Sequence, residues 1–132
     1  MMLTGGCYCG AVRYRSSATP LDAGFCHCTI CQRLGAAPAI AWVSVPQAGF
    51  AFTQGTPQTF ASSPQGRRHF CPTCGTQLTF TRPDGQEVDI TVTTLDDASA
   101  IAPDYHIWTA HQHPWLQLCD RLPRYADHGP DR

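Results

Sequence analysis

The segment FCHCTICQR, residues 25 to 33, brings together three cysteines, Cys26, Cys28 and Cys31. A disulfide uses two thiols and a closed zinc site uses four ligands, so a group of three needs another explanation. Catalytic zinc sites commonly have three protein ligands and keep the fourth position open for water or substrate. The spacing therefore predicts an open metal site on these three cysteines, if the remaining thiols find partners elsewhere.

Two further cysteine pairs occur in the motifs CYCG, residues 7–10, and CPTCG, residues 71–75. In both motifs a glycine follows the last cysteine, and glycine takes φ > 0 without steric cost where the backbone curls under a metal ion. A structural zinc contributes about 10–16 kcal/mol to folding, which would offset the entropy of closing the long intervening loop. The predicted ligands of a closed, structural zinc site are Cys7, Cys9, Cys71 and Cys74.

A rival pairing would join Cys28 and Cys31 to Cys71 and Cys74, as two Cys-X-X-Cys pairs are joined in a zinc ribbon. The separation of these two pairs is about twice the usual 15–20 residues. The rival pairing would also leave Cys26 and the first cysteine pair without partners. We therefore favour two separate metal sites, and two zinc ions per chain.

The composition predicts a mainly β protein with a single domain. Of 132 residues, 42% are hydrophobic and 14% charged, and 11 glycines and 11 prolines indicate many turns between short elements. We expect one domain over residues 1–132, with a core over about residues 3–122 and a frayed tail over residues 123–132. The net charge is −1, and the cations are scattered arginines with no lysine, so no nucleic-acid partner is expected.

Neither a signal peptide nor a stretch of about 20 apolar residues is evident, so we expect a cytoplasmic protein without a membrane partner. Clustered thiols in a reducing compartment indicate metal ligands or catalytic groups more than a disulfide framework. The sequence gives no indication of the oligomeric state.

Alternating apolar residues and turn signals predict several short strands. The clearest feature is a hairpin over residues 78–92, with its turn at Pro83-Asp84-Gly85. One helical turn is predicted over residues 32–34, ended by Gly35, and another near residues 96–98. Strands are predicted over residues 11–15, 37–45, 50–53, 58–60, 78–81, 88–92 and 105–108.

A fourth ligand would close the site on Cys26, Cys28 and Cys31. Cys119 is the first candidate, followed by the histidines, and a closed site would make the protein a zinc scaffold or a thiol-binding or protein-interaction module. Cys119, however, lies among apolar residues in WLQLCDRL, residues 115–122, where a cysteine is usually a small hydrophobic residue. The histidines that could provide a fourth ligand are His27, His106, His111 and His113.

Several other polar and aromatic residues are candidates for the site. His27 lies between two predicted ligands, where it could donate a hydrogen bond that supports them or simply be exposed to solvent. One of His106, His111 and His113 is expected to line the pocket as a base or donor, with His106 the first choice as proton donor. Arg33, two residues after the third ligand, could face an anionic group of a substrate, but a surface position is the simpler expectation. The pair Arg67-Arg68 is expected at a solvated loop end, and Trp108 and Trp115 in the core or the pocket wall.

The cysteine motifs and the late HIW…PWL segment together resemble the glutathione-dependent formaldehyde-activating enzymes, over Gly6 to about Trp115. The resemblance implies a β-tent fold of short stacked antiparallel sheets around the metal sites. It also implies a structural zinc on Cys7, Cys9, Cys71 and Cys74, and a catalytic zinc on Cys26, Cys28 and Cys31. The activity implied is a carbon–sulfur lyase reaction that joins formaldehyde to the glutathione thiol.

Chemistry at a three-thiolate zinc agrees with this expectation. Zn²⁺ with three thiolates carries a net charge of −1, so the metal is a weak acid towards water but suits a soft ligand such as a thiol. We therefore expect a zinc enzyme that adds a small thiol, glutathione or similar, to an aldehyde, or catalyses the reverse reaction.

Overall fold

The computed structural model describes residues 2–130 and confirms the prediction of a mainly β protein. Within these residues, short strands alternate with turns and one α-helix, α1 (Thr29–Gly35). Three-residue 3₁₀ turns occur at Gln47–Gly49, Val92–Thr94, Ala98–Ala100 and Thr109–His111. The strands are β1 (Leu3–Gly6), β2 (Arg13–Ser16), β3 (Asp22–Cys26), β4 (Ile40–Pro46), β5 (Phe50–Gln54), β6 (Gln58–Ser63), β7 (Gly66–Phe70), β8 (Gln77–Thr81), β9 (Glu87–Thr91) and β10 (His106–Ile107).

The strands form two sheets. Strands β1, β2 and β5 make a three-stranded antiparallel sheet in the order β1-β2-β5. The other seven strands make the second sheet, in the order β10-β3-β4-β9-β8-β7-β6. All neighbours in this sheet are antiparallel except β10, which runs parallel to β3.

Strand register separates the core face of the large sheet from the face that carries the site. Val43 pairs with Ile90, which pairs with Thr79, and all three side chains are buried at 1% exposure or less. The next positions along these strands point to the opposite face, because successive side chains alternate. That second row runs through Ser44, Asp89, Phe80 and Arg68, from β4 across β9 and β8 to β7.

The predicted hairpin is confirmed as β8 and β9, in antiparallel register with Phe80 opposite Asp89. The strands predicted over residues 37–45, 50–53 and 58–60 correspond to β4, β5 and β6, with their ends shifted. Strands β1, β3 and β7 were not predicted from the sequence. The predicted helical turn at residues 32–34 is part of a longer helix that begins at Thr29.

The prediction of a frayed tail from residue 123 is wrong for the part of the tail that the structure describes. Backbone N–H groups of His106 and Trp108 donate to the carbonyls of Pro123 and Asp127, and Tyr125 N–H donates to the carbonyl of His106, each at 2.9 Å. The segment pairs with β10 because this strand lies at the edge of the large sheet and otherwise has unpaired backbone groups. Residues 131 and 132 of the predicted tail lie outside the described residues. No helix in residues 2–130 is long and apolar enough to cross a membrane.

Candidate metal centres

The structure brings Cys7, Cys9, Cys71 and Cys74 into one cluster, in which the sulfur atoms all lie within 4.8 Å of one another. The first two cysteines lie in the turn after β1, and the other two lie between β7 and β8. Sulfur atoms bound to one zinc at about 2.3 Å are roughly 3.8 Å apart in tetrahedral geometry. The observed Sγ–Sγ distances of 3.6 Å from Cys7 to Cys9, and 3.7 Å from Cys9 to Cys71, fit such an ion.

Backbone geometry around this cluster also suits thiolate ligands. Gly10 and Gly75 have φ of 81° and 82°, as expected for glycines that end a metal-binding turn. The backbone N–H of Val12 donates to Cys7 Sγ at 3.2 Å, and the N–H of Thr73 donates to Cys71 Sγ at 3.3 Å. Such bonds stabilise the ionised sulfur, so the donor set fits a soft divalent metal such as zinc.

A second cluster contains Cys26, Cys28 and Cys31, whose sulfur atoms also lie within 4.8 Å of one another. Cys26 ends β3, Cys28 is the N-cap of α1, and Cys31 lies in the first turn of that helix. The N–H of Cys31 donates to Cys28 Sγ at 3.3 Å, so the strand-to-helix turn itself aims the three thiols at one point.

In residues 2–130, neither Cys119 nor a histidine or acidic side chain joins the second cluster. Cys119 is exposed, although its apolar neighbours predicted a buried residue. The rival ribbon-like pairing of Cys28 and Cys31 with Cys71 and Cys74 is not formed. The second cluster therefore offers three sulfur ligands.

The three thiols of the second cluster perturb one another's ionisation. The pKa of Cys28 is lowered, chiefly because the thiols of Cys26 and Cys31 hydrogen-bond to its sulfur. The pKa of Cys26 is raised, chiefly by its hydrogen bond with Cys28 and also by burial. Three neighbouring thiolates therefore require a positive charge to ionise together, and a divalent metal ion would supply one.

A cavity of about 170 Å³ opens onto the second cluster. Ser44, Asp89 and Arg68, from one face of the large sheet, line the cavity together with Arg82 and several aromatic side chains. The prediction that Trp108 forms part of the pocket wall is confirmed, whereas Trp115 is 68% exposed. The aromatic residues of the wall are Trp42, Phe80, Tyr105 and Trp108.

Arg68 was predicted to lie at a solvated loop end, and this prediction is wrong. It belongs to β7, its side chain is only 7% exposed, and it lines the cavity. Both terminal guanidinium nitrogens lie 3.7 Å from Cys31 Sγ. Residues 66–70, which form β7, directly precede the CPTCG motif. Because successive side chains of a strand point to opposite faces, one of its two arginines could have been expected to point inward. Arg33, in contrast, is exposed as expected.

His27 and His106 form a buried pair behind the second cluster. His27 Nε2 and His106 Nδ1 are 2.9 Å apart, and His106 Nε2 lies 3.0 Å from a carboxylate oxygen of Asp120. Burial and the nearby His106 lower the pKa of His27, which favours its neutral form. Both residues are at most 2% exposed, so the alternative that His27 is simply exposed is wrong.

The expectation that one of the three late histidines lines the pocket is not met. His106, His111 and His113 are absent from the described cavity wall. His113 stacks on Trp115, and the carbonyl of His111 accepts a hydrogen bond from the Gln32 side chain. A polar side chain does line the pocket beside the second cluster, but it is Arg68 of β7 and not one of the late histidines that the sequence predicted.

Comparison with known proteins agrees with this arrangement of cysteines. The family model of the glutathione-dependent formaldehyde-activating enzyme matches residues 2–111. A protein of Halomonas elongata, provisionally named a glutathione-dependent formaldehyde-activating enzyme, is 27% identical over an alignment that covers 92% of this chain and 83% of that protein.

The crystal structure of a Rhodobacter sphaeroides protein has a similar fold, with a TM-score of 0.58 and 23% sequence identity. The match covers 70% of this chain and 87% of that one, and at this identity it bears on the fold alone. The family model, in contrast, spans most of the sequence. The chain therefore belongs to the glutathione-dependent formaldehyde-activating enzyme family.

Proposed function

We propose that this protein is a zinc-dependent carbon–sulfur lyase that adds a small thiol to an aldehyde, or catalyses the reverse reaction. Glutathione and formaldehyde are the substrates that the family name suggests. The observation that carries the proposal is the three-cysteine cluster in the wall of a cavity, together with a separate four-cysteine cluster. The proposal assigns a structural zinc to Cys7, Cys9, Cys71 and Cys74.

The residues of the second cluster would hold the metal and leave room for one further ligand. A zinc ion on Cys26, Cys28 and Cys31 would offer its fourth position to a substrate thiol and lower the pKa of that thiol. Because the N-cap geometry fixes Cys28 relative to Cys31, the three sulfurs are arranged before any ligand binds.

The cavity walls would position the aldehyde against the thiol sulfur. Trp42, Phe80 and Trp108 limit the water near the cluster, which favours capture of the aldehyde carbon by sulfur over its hydration. A cavity of about 170 Å³ leaves space for the reacting ends of a thiol and a small aldehyde. The larger part of a substrate such as glutathione would extend towards the mouth of the cavity.

The alternative function, a scaffold with two closed metal sites, requires a fourth protein ligand at the second cluster. Cys119 is exposed and outside this cluster, which supports the enzyme proposal over the scaffold.

The proposal is tested by titrating the zinc-loaded protein with glutathione and measuring sulfur coordination by X-ray absorption at the zinc edge. With clusters of four and three sulfurs, the average should rise from about 3.5 to about 4 sulfurs per zinc when the thiol binds. An average of about 4 before thiol is added, or an average that glutathione does not change, would contradict the open site.

Activity provides the second test. Purified protein should accelerate formation of the glutathione–formaldehyde adduct, followed by nuclear magnetic resonance. The variant C28S should lose this acceleration, and C119S, a change of an exposed cysteine outside both clusters, should keep it. Acceleration that survives in C28S would place the reaction elsewhere.

A further inference from the structure

The second cluster is in contact with a buried positive charge whose role the cysteine motifs do not explain. The guanidinium group of Arg68 carries a permanent positive charge, and its residue is only 7% exposed. A buried charge is costly unless it is paired and hydrogen-bonded. Its contacts should therefore identify the group that it serves.

Each nitrogen of the guanidinium group has a partner. Nε donates to Ser62 Oγ at 3.3 Å, and one terminal nitrogen donates to Gln77 Oε1 at 3.0 Å. Both terminal nitrogens point at Cys31 Sγ, at 3.7 Å each. Ser62 and Gln77 are neutral, so the sulfur of Cys31, once ionised, is the negative partner among these three.

Two aromatic rings hold the guanidinium group in this position. The central carbon Cζ of Arg68 lies 5.6 Å from the centre of the Trp42 ring and 5.1 Å from the centre of the Phe80 ring. Both distances are in the range of cation–π contacts, which also shield the charge from water. A fixed charge in a dry environment acts more strongly on a neighbour than a mobile one at the surface.

From these contacts we infer that Arg68 is a positioning residue that balances the charge of the second cluster, so that an anionic ligand can bind at the open position. This inference rests on the proposed metal at that cluster, but not on the identity of the thiol or aldehyde. A divalent ion with three thiolates has a net charge of −1, and a fourth thiolate would make it −2. When the positive charge of Arg68 is included, the totals become 0 and −1, which lowers the electrostatic cost of binding the anion.

The remaining charged side chains on the cavity wall do not replace Arg68 in this role. Arg82 and Asp89 also line the cavity, but they carry opposite charges. Arg82 packs on Phe80 at 5.6 Å from the ring centre and is exposed to solvent. Arg68 is the one of the two arginines that donates to a sulfur of the cluster.

The test compares an anionic and a neutral ligand on the cobalt-loaded protein, in which binding at the three-cysteine site is followed by visible absorption. The probes are 2-mercaptoethanol, which binds as a thiolate, and imidazole, which binds neutral. In R68M, affinity for 2-mercaptoethanol should fall by about tenfold or more, whereas affinity for imidazole should change by less than about threefold. R68K keeps the charge and should retain most of the preference for the thiolate.

The matched control is R67M, on the same strand. Arg67 donates to the carbonyls of Ser63 and Gly66 and contacts no sulfur atom of residues 2–130, so both affinities should stay as in the unchanged protein. Equal weakening of both probes in R68M would mean that Arg68 only maintains the fold, and unchanged affinities would mean that its charge does not reach the ligand. Either result overturns the inference.

A second measurement covers the case in which R68M does not fold. Hydrogen bonds to a thiolate stabilise its electrons, so loss of the two-nitrogen contact with Cys31 should move the sulfur-to-cobalt charge-transfer band to longer wavelength. R68K cannot reproduce this contact, because its single ammonium nitrogen replaces a planar fork. If R68M does not fold, R68K decides the question: because it keeps the charge, a loss of about tenfold or more in its affinity for 2-mercaptoethanol, with affinity for imidazole unchanged, would overturn the inference. Failure of the open-site proposal is distinguishable, because it would appear in the unchanged protein as absence of any ligand response.

Discussion

At the scale of the residue, two glycines show how the metal-binding turns limit what the chain tolerates. Gly10 and Gly75 have φ of 81° and 82°, and a methyl group built at either position would have no neighbour within 4 Å. A larger side chain would therefore not clash at these positions. Glycine is needed there because the backbone adopts a positive φ, which other residues adopt only with strain.

The variant G75A isolates this conformational requirement. It should lower the free energy of unfolding of the zinc-loaded protein by about 1–2 kcal/mol, because an L-residue is strained in the left-handed region. The matched variant G75N should lose less, since asparagine tolerates this region better than alanine. Urea denaturation in excess zinc measures both, and equal stability of G75A and the unchanged protein would show that the turn relaxes to negative φ.

Tyr14 gives a prediction about pH. Burial raises its pKa to about 12, while an exposed tyrosine ionises near 10, the value expected in the unfolded chain. The fold therefore favours the neutral form of Tyr14. The contribution of this buried neutral hydroxyl to the free energy of unfolding is fully present below pH 10 and is lost as the pH rises towards 12. Over that interval the unfolded state releases a proton that the folded state retains, which costs about 2–3 kcal/mol of stability.

The variant Y14F removes this proton and should flatten the loss of stability between pH 10 and 12. Its stability at pH 8 is the control, because there the only change is the lost hydrogen bond of 2.7 Å between the hydroxyl groups of Tyr14 and Thr94. The measurement is denaturant unfolding at pH values from 8 to 11.5. Parallel pH curves for the two proteins would contradict the prediction.

At the scale of the element, the sequence predicts strands well where alternation and turn chemistry agree, and poorly where burial depends on a partner far along the chain. The hairpin of β8 and β9 is of the first kind, because apolar residues alternate on both sides of a Pro-Asp-Gly turn. Strand β7 is of the second kind: its Arg-Arg-His sequence is typical of a polar loop, and Arg68 is buried through contacts with Cys31 and with rings of other strands.

Strand β3 was missed for a related reason. Its Gly24 reads as a turn residue, but in the fold the ring of Tyr105 lies against it where any Cβ would be. The glycine therefore serves close packing in the interior of a strand. Among the site residues, the cysteines could be predicted because their spacing in sequence reflects ligand geometry. Arg68 could not be identified as a site residue, because alternation in β7 indicates at most that one of its arginines points inward, and only strand pairing brings that arginine to the cluster.

Removal of residues 123–132 should destabilise the protein by about 3 kcal/mol, because the hydrogen bonds between β10 and residues 123–127 would be lost. Trp108, held in the left-handed conformation at φ of 55°, depends on one of these bonds, so the pocket wall should loosen as well. Thermal unfolding by circular dichroism measures the loss. The variant Y125A keeps the backbone pairing and removes the ring contact with Tyr105, so it should be the milder change. A truncated chain as stable as the full chain would mean that the pairing contributes nothing.

At the scale of the whole molecule, the four-cysteine cluster joins the two sheets. Cys7 and Cys9 follow a strand of the small sheet, and Cys71 and Cys74 connect two strands of the large sheet. Cys9 and Cys71 are 62 positions apart, so a metal ion there would close a long loop that otherwise opposes folding. The three-cysteine cluster, in contrast, lies within one strand-to-helix turn and closes no such loop.

The two clusters should therefore respond differently to loss of one ligand. C74S should lower the apparent stability of the zinc-loaded protein by about 5 kcal/mol or more, because structural zinc contributes about 10–16 kcal/mol when its site is intact. C28S should release one zinc and leave the fold nearly unchanged. Serine is itself a good N-cap, so its hydroxyl can still accept the hydrogen bond from Cys31 N–H that now reaches the thiol. Zinc content per chain and thermal unfolding of C74S, C28S and the exposed-site control C119S measure both effects. If C28S unfolded as readily as C74S, both metals would be structural and the protein would act as a scaffold, because an open catalytic site should not be needed for the two sheets to hold together.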